Sequence, residues 1–359
     1  MSNIKEIIVN KSLNDNEVKQ LEGTWISEDY MVSPVINSDT DVYYMEYPIV
    51  GTKINDTSIK TLRNWFKLYK KLILSSQNKI LLTSNKKKKT EVYKWRLLVE
   101  RMKLCPQKKL LLKFRKNVIS KDLIDIGWKS YKNLAKPSRG RGASAGPIER
   151  DSVYWNKREL AKTDGWSTGY KLKNGEMSKM RVNNQVASNP IGFYEASNNF
   201  FKGPCRLTHF TRTNYDKYKE GLPYIKKIND LYKELTPEHY KKQYDRSELK
   251  PDFKIQDTCF STITINRNFR TALHRDGGDY KEGFGNLSVI ERGQYSGGYT
   301  ILPQFGVAVD VRTSDFLAVD VHQWHSNTPI YETEEQKKYN ETLIPDFKDN
   351  PEVGTAGIY

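Results

Sequence analysis

The chain has 359 residues, of which 37% are hydrophobic and 28% are charged, and its formal net charge is +16. This length fits two or three domains of about 100–200 residues each. No apolar run approaches the roughly 18 residues that a membrane-spanning helix needs, and residues 1–10 lack the charged-then-apolar pattern of a secretory signal. Three widely spaced cysteines form neither a disulfide framework nor a zinc-binding pattern. The composition excludes membrane-spanning and disulfide-stapled secreted proteins, and it predicts a soluble intracellular protein, cytoplasmic or nuclear.

Residues 1–56 combine turn-forming residues with short β-prone runs, of which 41–47 (DVYYMEY) is the clearest. We predict a small β-containing segment there. Residues 57–136 have a different pattern: over 58–74, apolar side chains recur every three or four positions with Lys and Arg between them. The sequence thus predicts a basic, mainly α-helical region after the first segment. Its further helices are expected over 91–104, 108–118 and 121–134.

The positive charge is concentrated in one segment. Residues 60–141 contain 25 Lys and Arg against 4 Asp and Glu, whereas the remainder of the chain contains 34 against 39. A concentrated positive field attracts polyanions, and Lys and Arg contact phosphates. We predict that residues 60–141 bind nucleic acid, with DNA preferred to RNA. The aromatic residues among these charges are expected in a helical core, with stacking on bases as the alternative.

Residues 139–147 (RGRGASAGP) contain three glycines and a proline, which marks a domain boundary at about residue 137. They form either a plain linker or an arm that contacts phosphates. Beyond them, we predict helices over 222–235 and 237–244. From residue 258 onward, short apolar or β-branched runs alternate with Gly, Pro and Asp turns, which predicts an antiparallel sandwich or barrel. The runs lie at 258–265, 286–291, 299–302, 307–311 and 316–321.

Candidate metal ligands stand near both ends of this strand-rich region. His274 and Asp276 are two residues apart in ALHRDGG, and positions i and i+2 of an extended strand face the same side. Gly277 and Gly278 then let the chain turn away without crowding that side. The pair can therefore present an imidazole and a carboxylate to one point.

The second cluster, DVHQWHSNTP, contains His322 and His325. Two imidazoles and one carboxylate, with open positions left over, form the facial triad that suits Fe(II) and oxygen activation. We favour His325 as the third ligand, with His322 as a donor to a ligand or a structural residue. A zinc hydrolase would use the same donors, but no Glu or His stands as an evident general base for that chemistry.

With these motifs, residues 258–329 resemble the double-stranded β-helix, a cupin-type jelly roll, of the Fe(II)/2-oxoglutarate oxygenases. The resemblance is carried by FSTITINRNFRTALHRDGGD, GFGNLSVIERGQYSGGYTILPQFGVAVDV and DFLAVDVHQWHSNTPI. Within that superfamily, HRDGGD and HSNTP resemble the branch of the TET and J-base-binding-protein oxygenases, which includes proteins of large DNA viruses, phages and fungi. The resemblance extends back to about residue 139 and does not explain the basic region.

The resemblance implies a fold, a set of cofactors and a reaction. The fold is α+β, with an oxygenase domain over 137–359 whose jelly-roll core spans 257–329 and is flanked by helices. His274, Asp276 and His325 are implied to hold Fe(II), with 2-oxoglutarate as co-substrate and O₂ as oxidant. The enzyme is then a 2-oxoglutarate-dependent dioxygenase that hydroxylates a nucleobase methyl group, that of a 5-methylpyrimidine in DNA.

One departure from the family concerns the co-substrate. The family places an arginine beyond the distal His to grip the far carboxylate of 2-oxoglutarate, whereas no arginine follows Arg312 here. We expect that the chain is shortened and stops at Tyr359, before the strand that carries this arginine in the family. Alternatively, another cation such as Arg292 takes the place of the missing arginine, or co-substrate binding is lost. An ammonium such as that of Lys337 does not easily replace a bidentate guanidinium. Two other functions stay open: a protein or peptide hydroxylase of the same superfamily, and an inactive nucleic-acid-binding protein with an oxygenase fold.

Overall fold

A computed structural model describes residues 4–46, 107–132, 137–138, 141–147, 160–164, 167–171, 177–182, 184–195 and 205–343. The chain divides into two compact units, one formed by Met1–Tyr43 with Leu110–Tyr359 and the other by Tyr44–Lys109. Of the second unit, the described residues are 44–46 and 107–109. The helices predicted over 58–74 and 91–104 therefore lie outside the described residues.

Short strands dominate the described part of the chain. They are β1 (Lys5–Val9), β2 (Thr40–Glu46), β3 (Gln107–Arg115), β4 (Pro137–Ser138), β5 (Leu160–Asp164), β6 (Ser167–Lys171), β7 (Met177–Val182), β8 (Val186–Glu195), β9 (Cys205–Leu207), β10 (Thr262–Asn266), β11 (Gly285–Leu287), β12 (Ser296–Gly297), β13 (Thr300–Leu302), β14 (Val307–Val309), β15 (Phe316–Val319), β16 (Ser326–Asn327) and β17 (Ile330–Tyr331). The α-helices are α1 (Asp15–Gln20), α2 (Lys121–Tyr131), α3 (His209–Thr213), α4 (Tyr215–Leu235), α5 (Pro237–Glu248) and α6 (Glu334–Glu341).

The largest described sheet has the strand order β1-β2-β3-β15-β11. Within it, β15 is antiparallel to both of its neighbours, with Val319 opposite Leu112 of β3 and opposite Gly285 of β11. All four residues of β15 are buried. A strand covered on both faces is a continuous apolar run rather than an alternation of apolar and polar residues, so the sequence FLAV suits this central position.

The helix predicted over 108–118 is wrong, because these residues form most of β3. Three of its apolar residues are fully buried: Leu111, Leu112 and Phe114. Side chains on both faces of a strand can be buried in this way when the sheet is covered on both sides. A short continuous apolar run does not distinguish a strand from a buried helix by its periodicity. The nearby expectations are confirmed, because 41–47 is largely β2 and 121–134 contains α2.

The remaining strands form smaller sheets. One has the order β10-β8-β4, with β9 also paired to β8; the others are β14-β13-β16, β12-β17 and β5-β6-β7. The pairs with an assigned register are antiparallel, as in Thr300 of β13 opposite both Val309 and Asn327. The predicted antiparallel strands after residue 258 are thereby confirmed at β10, β11, β13, β14 and β15. The jelly roll is compatible with this pairing and stays a prediction.

The helices α2 and α4 pack on each other, and α4 contacts β15. α4 begins seven residues before the predicted helix over 222–235 and contains Pro223, and α5 begins at Pro237 as predicted. α2 packs closely on α4, because a Cβ added at Gly221 would lie 2.1 Å from the hydroxyl oxygen of Tyr131. The larger hydrophobic core lies between these helices and the sheets and includes Tyr232 and Phe316.

A second hydrophobic cluster joins the start of the chain to the strand-rich region. It contains Val18 of α1 and Ile26 together with Leu273 and Trp324, which are adjacent in sequence to His274 and His325. Leu110–Arg115 and α2 also belong to the compact unit that holds these residues. The domain boundaries at 56 and 136 stay predictions. Among the described residues, no helix is long and apolar enough to cross a bilayer.

Candidate metal centre

His274 and His325 lie opposite each other in an isolated antiparallel bridge. The N–H of each residue donates to the carbonyl oxygen of the other, both at 3.0 Å. Two residues on, the N–H of Asp276 donates to the carbonyl oxygen of Val321 at 3.0 Å. Because the i, i+2 spacing puts His274 and Asp276 on one side of an extended segment, this pairing brings all three side chains together, with 4.3 Å between the imidazole centroids of His274 and His325.

The three side chains offer ligand atoms that all lie within 4.8 Å of one another. The Nε2 atom of His274 is 3.4 Å from Oδ1 of Asp276, and Nε2 of His325 is 3.7 Å from Oδ2 of the same carboxylate. The side chains of His274 and His325 are 14% and 10% exposed, whereas that of Asp276 is 38% exposed. The group is therefore open to solvent on the side of the carboxylate.

Backbone carbonyls fix the orientation of both imidazoles. Nδ1 of His274 lies 2.8 Å from the carbonyl oxygen of Ala272, and Nδ1 of His325 lies 3.0 Å from that of Gln323. A carbonyl only accepts, so each Nδ1 carries the proton and each Nε2 presents a lone pair. Two lone pairs and a carboxylate that face one another repel unless a cation lies between them. The donor set therefore fits a divalent metal, with the outer hydrogen bonds typical of metal-binding histidines.

The electrostatics of the group agree with metal binding. Burial lowers the pKa of His325 to about 4, and the neighbouring His274 contributes to the shift. Burial acts to raise the pKa of Asp276, but the neighbouring imidazoles of His274 and His325 outweigh it, so the pKa is lowered overall. At neutral pH, His325 is therefore neutral and Asp276 is ionised, as metal ligands must be.

His322 does not join this group. Its Nε2 lies 3.1 Å from the carbonyl oxygen of Tyr280, to which it donates. The preference for His325 over His322 therefore agrees with the geometry. Of the other histidines, His239 donates through Nδ1 to the carbonyl oxygen of Glu282 at 2.9 Å.

The two glycines after Asp276 leave the space beside it open. A Cβ added at Gly277 or Gly278 would meet no atom within 4 Å, and neither residue has a positive φ. The backbone turn therefore does not itself require glycine. Asp279, which follows, was not singled out from the sequence, although burial and the charge of Asp276 raise its pKa to about 6.

The arginine proposed as a substitute co-substrate ligand is engaged elsewhere. The guanidinium of Arg292 pairs with Asp125 and lies 5.1 Å from the centroid of the Trp128 ring. Lys337 pairs with Glu334 at 2.6 Å. Neither side chain is available to a ligand of the metal centre without giving up its partner.

Comparison with known proteins shows which family the region around the site is similar to. Residues 189–343 match the Tet/JBP family, described as the oxygenase domain of the 2OGFeDO superfamily. The chain is 34% identical over 194 residues to the bifunctional helicase and thymine dioxygenase JBP2 of Trypanosoma brucei brucei, a match that covers 53% of this chain and 17% of the relative. It is 36% identical over 137 residues to the thymine dioxygenase JBP1 of Trypanosoma brucei brucei, covering 38% of this chain and 16% of that protein.

The chain thus spans less than a fifth of the length of these relatives. A solved structure of NgTET1 in complex with 5mC DNA aligns with 67% of this chain and 81% of its own, at 12% identity and a TM-score of 0.37. The matched region contains His274, Asp276 and His325. Residues 189–343 of this chain are therefore similar to the Tet/JBP oxygenase domain of the 2OGFeDO superfamily, and the described elements combine α-helices with antiparallel sheets.

Proposed function

We propose that the protein is an Fe(II)- and 2-oxoglutarate-dependent dioxygenase that hydroxylates the methyl group of a 5-methylpyrimidine in DNA. The observation that carries the proposal is the convergence of Nε2 of His274, Nε2 of His325 and the carboxylate of Asp276 inside a Tet/JBP-type domain. The names of the relatives, thymine dioxygenases, support a nucleobase as substrate.

Each residue of the group has a defined task in this proposal. The two Nε2 atoms and one oxygen of Asp276 hold Fe(II), and the carbonyls of Ala272 and Gln323 keep the Nδ1 protons in place. Fe(II) with 2-oxoglutarate supplies the activation of O₂ for hydroxylation of a C–H bond. The open side beside Asp276, Gly277 and Gly278 receives the substrate. A base in a duplex must be flipped out to reach such a site, whereas a single strand presents it directly.

The test is turnover with defined oligonucleotides. With Fe(II), 2-oxoglutarate and O₂, we expect succinate release to rise on addition of DNA that contains thymine or 5-methylcytosine, and the product to carry a hydroxymethyl base by mass spectrometry. His325→Ala and Asp276→Asn should abolish release. His239→Ala is the matched control and should leave it intact, because His239 binds a carbonyl outside the group.

Three results would contradict the proposal in different ways. Stimulation by peptides but not by DNA would favour a protein hydroxylase of the same superfamily. Salt-sensitive DNA binding without turnover in the presence of added iron would favour an inactive binding protein. Full activity of His325→Ala would show that His325 is not needed as a metal ligand.

A further inference from the structure

We propose that Arg141 forms an oxyanion-binding site beside the metal centre, which takes either a carboxylate of the co-substrate or a phosphate of nucleic acid. The inference rests on the proposed function, because it assumes that His274, Asp276 and His325 hold the metal. A guanidinium offers several donors in a planar fork, which suits both kinds of oxyanion.

Hydrogen bonds fix the backbone of Arg141 next to the segment that carries His274. Arg141 precedes a 3₁₀ turn, Gly142–Ala145. Its carbonyl oxygen accepts from the N–H of Ser144 at 3.2 Å and from the Ser144 hydroxyl at 2.7 Å. The carbonyl of Ser144 in turn accepts from the N–H of Ala272 at 2.9 Å. Ala272 is the residue whose own carbonyl holds Nδ1 of His274, so the turn is tied directly to the metal centre.

The far end of the turn is held by Trp25. Gly146 has a φ of +78°, and a Cβ there would lie 2.3 Å from Cζ2 of the Trp25 ring. The guanidinium of Arg270 lies 5.0 Å from the centroid of that ring and donates to the carbonyl oxygen of Ile26 at 2.8 Å. The turn is thus packed between the start of the chain and the segment that carries His274, so the backbone position from which the Arg141 side chain extends is fixed.

The charge of Arg141 is not matched within the described part of the chain. The residue is partly buried, and among the residues that the structure describes, no carboxylate pairs with it and its guanidinium makes no hydrogen bond. Burial lowers the pKa of Arg141, while Tyr194 and Asp276 act to raise it. The hydrogen bond from the N–H of Ala272 to the carbonyl oxygen of Ser144 holds the turn after Arg141 against the segment that carries His274 and Asp276, and the charge of Asp276 acts on the guanidinium. Removing a cation from water without a partner is costly, and a bound oxyanion would offset that cost.

Other arginines of the same unit already have partners. Arg312 pairs with Asp310 and Glu291, and Arg292 pairs with Asp125. Arg270 donates to two backbone carbonyl oxygens, that of Ile26 at 2.8 Å and that of Asn327 at 3.3 Å. Among the described residues, Arg141 differs from these three because no carboxylate or carbonyl oxygen accepts a hydrogen bond from its guanidinium.

The charge balance of the loaded site also calls for a further cation. A divalent metal held by one carboxylate and two neutral imidazoles keeps one positive charge. A dicarboxylate co-substrate then leaves one negative charge, and a nearby phosphate would add another. Because opposite charges interact strongly where water is partly excluded, a guanidinium beside Asp276 stabilises either ligand.

The experiment measures ligand binding without turnover. Protein loaded with Mn(II) in the absence of O₂ is titrated with 2-oxoglutarate, with 2-oxopentanoate, which lacks the far carboxylate, and with a thymine-containing single-stranded oligonucleotide. The variants are Arg141→Gln and Arg141→Lys, with Arg292→Gln as the matched control. Arg141→Lys keeps the charge and the aliphatic stem, and so keeps the test decisive if Arg141→Gln does not fold.

If Arg141 binds the co-substrate, Arg141→Gln weakens 2-oxoglutarate binding about tenfold or more, as expected for a charged hydrogen bond, and leaves 2-oxopentanoate binding unchanged. If it binds a phosphate, oligonucleotide affinity and its salt dependence fall instead. Arg141→Lys should be intermediate, and Arg292→Gln should match the wild type. Unchanged affinity for all three ligands in a folded, Mn(II)-binding Arg141 variant overturns the Arg141 site alone. Failure of the wild type to bind Mn(II) overturns the proposed function as well.

Discussion

His325 has an environment that favours the neutral imidazole. Its side chain is 10% exposed, and burial lowers its pKa from 6.5 to about 4. In the unfolded chain, the imidazole takes up a proton at about pH 6.5. Between these two values the unfolded state binds more protons than the folded state, so the free energy of unfolding falls as the pH falls.

We therefore predict that the metal-free protein becomes less stable between pH 6.5 and about pH 4, by at most about 1.4 kcal/mol per pH unit from this residue. Denaturant unfolding at a series of pH values, compared between the wild type and His325→Asn, isolates the contribution. The two stability curves should converge as the pH decreases through this window. Parallel curves would show that His325 is not held neutral by the fold.

The three residues of the candidate metal centre could be singled out from the sequence because their arrangement is partly local. The i, i+2 spacing of His274 and Asp276 places both on one side of any extended strand. The pairing of His274 with His325 could be expected only through the resemblance to a family, since it depends on strands far apart in sequence. Arg141 could not be identified as part of the site, because its position depends on Ala272 and Trp25.

At the scale of elements, α2 packs against α4 through a buried tyrosine with an unsatisfied hydroxyl. Tyr131 is fully buried, and its hydroxyl has no hydrogen-bond partner among the described residues. Tyr224 packs beside it, but its hydroxyl lies 2.6 Å from that of Ser288. A buried polar group without a partner costs free energy, whereas a satisfied one contributes modestly.

Tyr131→Phe is therefore predicted to leave the free energy of unfolding unchanged or to raise it by up to about 1–3 kcal/mol, the cost of an unsatisfied buried group. Tyr224→Phe, the matched variant, should lower it by about 1 kcal/mol, and more if Ser288 is left unpaired. Chemical denaturation of the two variants decides the point. A destabilisation of Tyr131→Phe as large as that of Tyr224→Phe would mean that the Tyr131 hydroxyl is hydrogen-bonded after all.

Short apolar runs bounded by turn residues were predictable as strands, whereas the apolar run of β3 was not. The Gly, Pro and Asp turns after 258 predicted β13, β14 and β15. β3 was assigned to a helix because three successive leucines fit either element. What decides the matter is the pairing of β3 with β15, more than 200 residues away in sequence, as in Leu112 opposite Val319. The residues near β3 in the sequence do not indicate that β3 pairs with β15.

For the whole molecule, the site depends on residues outside the matched oxygenase domain. The N–H of Gly23 donates to the carbonyl oxygen of Leu273 at 2.8 Å, and the N–H of Leu273 donates to that of Thr24 at 3.0 Å. These hydrogen bonds pair the start of the chain with Leu273, the residue next to His274. The segment around His274 is thus paired with Gly23 and Thr24 on one edge and with His325 on the other. The metal centre and the N-terminal segment therefore belong to one compact unit, whereas residues 47–106 belong to the other.

This separation leads to a prediction about where nucleic-acid affinity resides. Residues 47–106 carry 15 Lys and Arg against 3 Asp and Glu, and the residues on either side end close together, since Lys109 pairs with Glu46. Replacing 47–106 with a short Gly/Ser linker should leave Mn(II) binding and thermal stability within error of the wild type. DNA affinity should fall, and the slope of log affinity against log salt should become shallower by about 0.9 for each phosphate that residues 47–106 neutralise. An unchanged salt slope would place the phosphate-binding residues on the first unit, where Arg141 lies.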